Sequence, residues 1–252
     1  MTRPFVRLSR AALSGLFFLA YGSFALPFAI LLPFPFVSKR LGRRCVRLFY
    51  RLFVRLARLT GLYAVEVVPP HTGSSDARTI ANPSNGRVVV MNHVSLIDIC
   101  VLLAHLPDSV CIAKAAAKRN PFLAAVVRKL FIANDQGGEV TLDEAKSYLA
   151  QGVNVVVFPQ GTRGGARLHR GAARLALAAR TELACYRIAY DPVVLAKGQP
   201  WWDVGDKVIR IRLERRGTIP AEGPNDRRTA VVLTDRIRRA ILGEGDGQEA
   251  TA

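Results

Sequence analysis

Residues 87–106 read RVVVMNHVSLIDICVLLAHL. A short β-branched run ends at Met91, and an apolar segment of helical length opens near Leu96. RVVVM (87–91) has the character of a central strand buried on both faces. The polar turn between strand and helix carries His93, and Asp98 follows five positions later. On one continuous helix, two residues five apart point about 140° away from each other at about 100° per residue. The two side chains therefore meet only if His93 lies on the turn and Asp98 in the first turns of the helix. Open α/β sheets bind ligands just beyond the carboxyl ends of their strands. A histidine oriented there by a carboxylate is a general-base dyad, the carboxylate fixing the tautomer and stabilising the imidazolium.

The same alternation continues along the chain. VCIAK (110–114), VNVVVF (153–158) and RIAYDPVVLA (187–196) read as further strands. KVIRIRLE (207–214) alternates as a half-exposed edge strand should. LIDICVLLAHL, PFLAAVVRKLF (121–131), LDEAKSYLAQG (142–152), GAARLALAART (171–181) and RRTAVVLTDRIRRAIL (227–242) read as helices. The fold class predicted is α/β: a single domain over residues 63–242, with a mostly parallel or mixed sheet flanked by helices. Pro69, Pro70, Pro83 and Asn85-Gly86 mark a polar loop, and residues 243–252, GEGDGQEATA, read as a disordered tail.

Residues 1–62 are predicted to form an N-terminal membrane-associated helical segment. Residues 11–38 carry no charge, more than the roughly 20 apolar residues a helix needs to span a bilayer. The stretch is too long for a cleaved signal peptide, although Arg3, Arg7 and Arg10 precede it. Pro27, Pro33 and Pro35 are expected to break its later part, so a straight span and a bent, re-entrant hairpin both remain open. In KRLGRRCVRLFYRLFVRLARLTG, Arg44, Arg47, Arg51, Arg55 and Arg58 share one helical face, with Leu48, Phe49, Leu52, Phe53, Leu56 and Leu59 on the other. Such a helix suits an anionic bilayer surface. Eight Lys/Arg from Lys39 to Arg58, against three ahead of the apolar stretch, place the body on the cytoplasmic face of the inner (plasma) membrane.

Composition agrees. Half of the residues are hydrophobic, mean hydropathy is +0.18 and the net charge is +17. That combination points to membrane lipids or an acidic ligand as partners. Nucleic acid is disfavoured, since no nucleic-acid-binding signature accompanies the charge. Cys45, Cys100, Cys111 and Cys185 form no CxxC pair and read as reduced core residues.

A second strand–turn–helix junction carries chemistry. VVVFPQGTRGGARLHRGAARLALAA runs from a buried strand through a Gly-rich basic loop into an Ala-rich helix. Gly161, Gly164 and Gly165 allow close backbone approach, Arg163 offers a fork of donors suited to phosphate, and the helix opening near Gly171 adds free N–H groups.

Together these stretches resemble the glycerolipid acyltransferases, in particular the bacterial 1-acylglycerol-3-phosphate (lysophosphatidate) acyltransferases. NHVSLID (92–98) is similar to the family's N-H-x4-D block, and FPQGTRGGARLHRGAARLA (158–176) to its F-P-E-G-T-R block and the helix after it. AKAAAKRNPFLAAVVRKLFIAND (113–135) resembles the block between them, and YDPVVLA (190–196) the later proline block. The resemblance implies a membrane-bound O-acyltransferase moving an acyl chain from acyl carrier protein or coenzyme A to a lysophospholipid hydroxyl. It implies His93 as the base, Asp98 as its orienting carboxylate, and Gln160, Gly161, Thr162 and Arg163 as binders of the acceptor. No metal, cofactor or acyl-enzyme is implied. Two positions depart from the family: Gln160 replaces a glutamate, and Asn134 stands where an arginine is expected. Both departures fall on acceptor recognition, leaving open another lysolipid acceptor, such as lyso-ornithine lipid, or a non-catalytic lipid-binding relative. An α/β-hydrolase reading fails for want of a G-x-S-x-G elbow.

Overall fold

The computed structural model describes residues 3–68, 86–119, 124–135 and 137–243. The polar loop with Pro69, Pro70, Pro83 and Asn85, the start of the helix expected from Pro121, and most of the tail lie outside these residues. Its helices are α1 (Arg3–Leu31), α2 (Lys39–Leu59), α3 (Asp98–His105), α4 (Ala124–Lys129), α5 (Gly138–Ala150), α6 (Gly171–Ala179) and α7 (Arg227–Leu242). Seven strands form one sheet: β1 (Tyr63–Val68), β2 (Val88–Met91), β3 (Ser109–Lys114), β4 (Ile132–Asn134), β5 (Asn154–Val157), β6 (Leu183–Asp191) and β7 (Ile209–Ile219). Their order is β1-β7-β6-β2-β5-β3-β4. All neighbours pair parallel except β6 with β7.

β2 sits mid-sheet between β5 and β6, and all four of its residues are buried, which is why its sequence is a run and not an alternation. The turn into β2 requires glycine at 86, because a Cβ there would stand 2.1 Å from the Val153 carbonyl oxygen. One sheet face packs under α1, α2 and α3, joining Phe17, Tyr50, Phe53, Leu102 and Ile211 in one core. The other packs Val88, Val155 and Leu183 against α5, α6 and α7.

Four expectations are corrected. β7 is not an edge strand but lies between β1 and β6. Its alternation arises because Ile209, Ile211 and Leu213 enter the core while Arg210 and Arg212 face solvent on a bare part of the other face. β6 begins at Leu183 and ends at Asp191, since Pro192 has no N–H to continue a ladder. β1 and β4 were not expected: β1 is a six-residue strand squeezed between the arginine helix and the proline-rich loop, and β4 is only three residues long. Pro27 does not break α1, which runs on to Leu31 and closes ahead of Pro33 and Pro35.

The predicted anchor shares its core with the rest of the chain. Along α1, Arg10 donates to Gly205 O at 3.2 Å, Ser14 donates to Trp201 O at 2.8 Å, and Phe17 stacks against Phe53 and Tyr63. The opposite side of α1 leaves Leu8, Leu16, Leu19, Leu26 and Ile30 exposed. α2 has three faces. Val46, Tyr50, Phe53 and Ala57 are buried, the arginines form a second row, and Leu41, Leu48, Leu52 and Leu59 form an exposed apolar third.

Candidate active site

His93 occupies the turn leaving β2, and Asp98 is the first residue of α3. The two meet: His93 Nδ1 lies 2.8 Å from Asp98 Oδ2. Asp98 is fully buried, and four donors converge on it. Oδ2 accepts from Val94 N at 2.7 Å and Ser95 N at 2.9 Å as well as from the imidazole, and Oδ1 accepts from Tyr190 Oη at 2.6 Å. A buried carboxylate needs such partners to stay charged. Its acceptance from His93 Nδ1 assigns the proton to that nitrogen and leaves Nε2 as the basic lone pair. The His93 side chain keeps 22 % of its surface exposed, and its ring lies 4.5 Å from that of Phe158.

Tyr190 is the residue that sequence reasoning missed. Burial first, then the neighbouring Asp98 charge, pushes its phenol well above the usual value, so it remains a donor. The signal was present in the pairing of β6 with β2. Asn92 donates to Ile188 O at 2.8 Å and accepts from Ile188 N at 2.7 Å, which fixes β6 beside the histidine turn. Tyr190, two residues on, then points to the same side.

The Gly-rich loop after β5 is tied to the histidine turn at two points. Gly164 N donates to His93 O at 2.8 Å, and His93 N donates to Gln160 Oε1 at 2.5 Å. Gln160 Nε2 donates in turn to Gly165 O at 2.6 Å. Gln160 is buried, and both ends of its amide are engaged by backbone, so it braces the two loops. Arg163 Nη1 donates to Leu195 O at 2.7 Å and Ala196 O at 3.2 Å, which ties the same loop to the segment after β6. Gly161 and Gly164 have φ of +65° and +66°, and a Cβ on Gly161 would lie 3.2 Å from His169 Cδ2. The loop thereby holds Gly161, Thr162 and Arg163 next to the dyad. Among the described residues, no acceptor takes the N–H groups of Thr162 and Arg163. Asn134 ends β4 beside Lys114 at the carboxyl edge of the sheet.

The cysteines form no disulfide. Cys100, Cys111 and Cys185 are buried, which pushes each thiol up to about 12.

Comparison with known proteins agrees with this geometry. A family model described as Acyltransferase matches residues 67–195. A 1-acyl-sn-glycerol-3-phosphate acyltransferase of Helicobacter pylori is 37 % identical over 87 residues, 32 % of this chain and 37 % of that protein. The 1-acyl-sn-glycerol-3-phosphate acyltransferase alpha of Homo sapiens is 32 % identical over 187 residues, 64 % of this chain and 59 % of that protein. The chain thus spans less than two thirds of the length of these relatives. The crystal structure of the 1-acyl-sn-glycerophosphate acyltransferase of Thermotoga maritima has the same fold, with a TM-score of 0.64 at 18 % identity over 95 % of this chain and 96 % of that one. The family match runs over the histidine turn, the Gly-rich loop and the end of β6, the three segments that build the site, and the chain belongs to the Acyltransferase family.

Proposed function

We propose that this protein transfers an acyl chain from a thioester to the free hydroxyl of 1-acylglycerol-3-phosphate, giving phosphatidic acid. The observation that carries the reading is His93, whose Nδ1 is held by a fully buried, four-donor carboxylate while its side chain keeps 22 % of its surface exposed beside the Gly-rich loop. Nε2 takes the proton from the acceptor hydroxyl as that oxygen attacks the thioester carbonyl. The tetrahedral intermediate collapses with cleavage of the C–S bond, and the imidazolium returns the proton to the departing thiolate. Atoms and charges balance with no covalent enzyme intermediate and no cofactor. Asp98 stabilises the imidazolium, and Tyr190 and the two N–H groups hold Asp98 in place.

On this reading the acceptor's phosphate binds at Thr162 and Arg163, whose backbone N–H groups are unengaged and whose guanidinium has donors beyond the Nη1 that holds Leu195 O and Ala196 O. The substitution at Gln160 does not argue against lysophosphatidate, because both ends of that amide are bound to backbone. Acyl carrier protein or coenzyme A thioesters, both acidic, suit the basic surface as donors. The protein sits on the membrane through the exposed apolar side of α1, with its body on the cytoplasmic side. The names of the curated relatives support the acceptor, and the excess of Lys/Arg after residue 38 supports the orientation.

The test is transfer from a labelled acyl thioester to a panel of lysolipids by the full-length protein in membranes, with products identified by mass spectrometry. Lysophosphatidate should be the preferred acceptor, and His93→Ala should lower transfer by several orders of magnitude. Retention of more than a tenth of the activity by His93→Ala refutes the mechanism. Preference for a phosphate-free lysolipid refutes the acceptor.

A further inference from the structure

A second cationic site lies at the other edge of the sheet from His93. β3 begins at Ser109, level with Asn154 of β5, and Val88 of β2 pairs with Val155, so Asp108 and Ser109 mark the amino-terminal edge. The dyad stands at the carboxyl-terminal edge. At the amino-terminal edge, the first turns of α2 and the segments flanking β3 and α4 enclose a cavity of about 280 Å³. Arg40, Arg43, Arg44 and Arg47 line it together with Asp108 and Phe131.

The charges in this cavity do not cancel. Asp108 is its one carboxylate, and Arg43 takes both oxygens, Nε at 2.5 Å and Nη2 at 2.9 Å. The Arg43 side chain is only 8 % exposed, so that pair is a fixed wall. Arg40 and Arg44 then remain without an acidic partner among the described residues, and Arg47 has only the attraction of the already paired Asp108. Arg47 is the informative one. Its Nε is buried and has no hydrogen-bond acceptor. Burial, with Arg51 beside it, also weakens its hold on its proton. A buried guanidinium N–H with no acceptor costs stability, and an anion in the cavity would remove that cost. Planar guanidinium forks match phosphate oxygens in number and geometry. Phe34, Phe36, Leu41 and Leu48, all exposed, lie in or beside the first turns of α2, so an apolar edge adjoins the cations.

We propose that this cavity is a phosphate-binding site, separate from the active site, formed by Arg40, Arg44 and Arg47 against the Arg43–Asp108 pair. Two sources offer the same chemistry, the headgroup of an anionic lipid and a soluble phosphate ester. The proposal does not depend on the acyl-transfer reading.

The experiment compares the full-length protein with Arg47→Gln, the pair Arg44→Gln with Arg47→Gln, and Arg55→Gln. Arg55 is an exposed arginine on the same helix outside the cavity, and its substitution removes one charge without touching the site. Two readouts are taken: flotation with neutral phosphatidylcholine vesicles containing or lacking phosphatidic acid, and thermal stability in detergent with and without inorganic phosphate or glycerol phosphate. The pair should lower binding to the anionic vesicles roughly tenfold or more, at about fivefold per cation near a surface. Arg55→Gln should cost no more than about the fivefold of one surface cation, less than Arg47→Gln, and should leave the response to phosphate intact. Without ligand, Arg47→Gln should melt at the wild-type temperature or above it, because it removes a buried N–H that has no acceptor. Phosphate, or phosphatidic acid, should raise the melting temperature of the wild type and leave that of Arg47→Gln unmoved. A response to vesicles alone assigns a lipid headgroup, and a response to glycerol phosphate assigns a soluble ester; each supports the site. Equal losses for Arg55→Gln and Arg47→Gln mean a diffuse surface attraction and overturn it. So does a lowered melting temperature of Arg47→Gln without ligand, which makes Arg47 a structural residue.

Discussion

Gln160→Glu separates the role seen in the structure from the role the sequence suggests. The amide bridges two backbone groups, accepting from His93 N at 2.5 Å and donating to Gly165 O at 2.6 Å. A carboxylate keeps the first bond and loses the second, and it turns an oxygen toward a carbonyl oxygen at hydrogen-bond distance. Losing one bond and leaving a buried acceptor unsatisfied costs about 1–3 kcal/mol. For a chain of this size each kcal/mol is roughly 2–4 °C, so the variant should melt about 2–12 °C below wild type near pH 7. The pH dependence has a definite sign. A protonated carboxyl can donate to Gly165 O, and burial also favours the neutral form, so folding raises the affinity of the introduced group for its proton. Its favourable contribution is therefore complete below the unfolded value of about 4.3 and is lost as pH rises through the folded value. The deficit against wild type should shrink on going from pH 8 to pH 5. Activity should fall on the order of tenfold in kcat, since the Gly-rich loop loses its tie through Gly165 to the histidine turn, with KM for the acceptor unchanged. Thermal scans from pH 5 to 8 and steady-state kinetics check both halves. An unchanged melting temperature with a raised acceptor KM would refute the bracing role and return Gln160 to the acceptor pocket. A deficit that grows as pH falls would refute the electrostatics.

Three further outcomes are expected. Tyr190→Phe removes one donor from a charged, buried acceptor, about 1.5–3 kcal/mol, so kcat should fall roughly 10- to 100-fold; placed on Asp98→Asn it should cost less than about twofold, and additive losses would show that Tyr190 does not act through Asp98. Gly161→Ala forces a left-handed φ on a side chain that also meets His169, costing about 1–2 kcal/mol, and kcat/KM should drop while the expression of folded protein persists; wild-type kinetics would refute the loop geometry. Iodoacetamide at pH 8 should leave Cys100, Cys111 and Cys185 unmodified in the native protein and label all of them in denaturant, as mass spectrometry can count; native labelling at any of the three would contradict their burial.

What the sequence disclosed and what it hid divide along physical lines. The βα junctions were legible because β2 and β5 are buried on both faces, which leaves an unmixed apolar run ending at a polar turn. The pairing of His93 with Asp98 followed from that junction, since a five-residue spacing closes only around a strand-to-helix corner. The place of β7 did not follow. Alternation reports how many faces of a strand are covered, not how many neighbours it has, and β7 has two neighbours with one bare face. β1 escaped because a six-residue strand next to a proline-rich loop has too little pattern to stand out. Tyr190 and the bracing role of Gln160 were hidden for another reason: both depend on contacts between segments about 70 to 90 residues apart, 93 with 160 and 98 with 190. Residue type in Gln160 suggested a ligand, and only the burial of both amide ends reassigned it.

The same long-range contacts bear on how the site meets the membrane. Pro4–Leu31 is long and apolar enough to cross a bilayer. Yet one side of α1 is bound to the body of the protein over its middle turns, from Arg10 at the 205–207 turn, through Ser14 at Trp201 and Phe17 at Tyr63, to Tyr21 at Phe49. Crossing a bilayer upright would bring the part of the body packed along that side in with the helix. It can lie with its outer side, Leu8, Leu16, Leu19, Leu26 and Ile30, turned to the acyl region. The segment after β6 then acquires a double function. Its Leu195 and Ala196 carbonyls hold Arg163 of the Gly-rich loop, Gln199 accepts from Ala196 N at 3.1 Å, and the Trp201 carbonyl accepts from Ser14 of α1. A short hydrogen-bonded run of chain thus connects the apolar helix to the loop beside His93. The depth of the dyad relative to the apolar side of α1 is set by packed contacts, with no flexible linker between them.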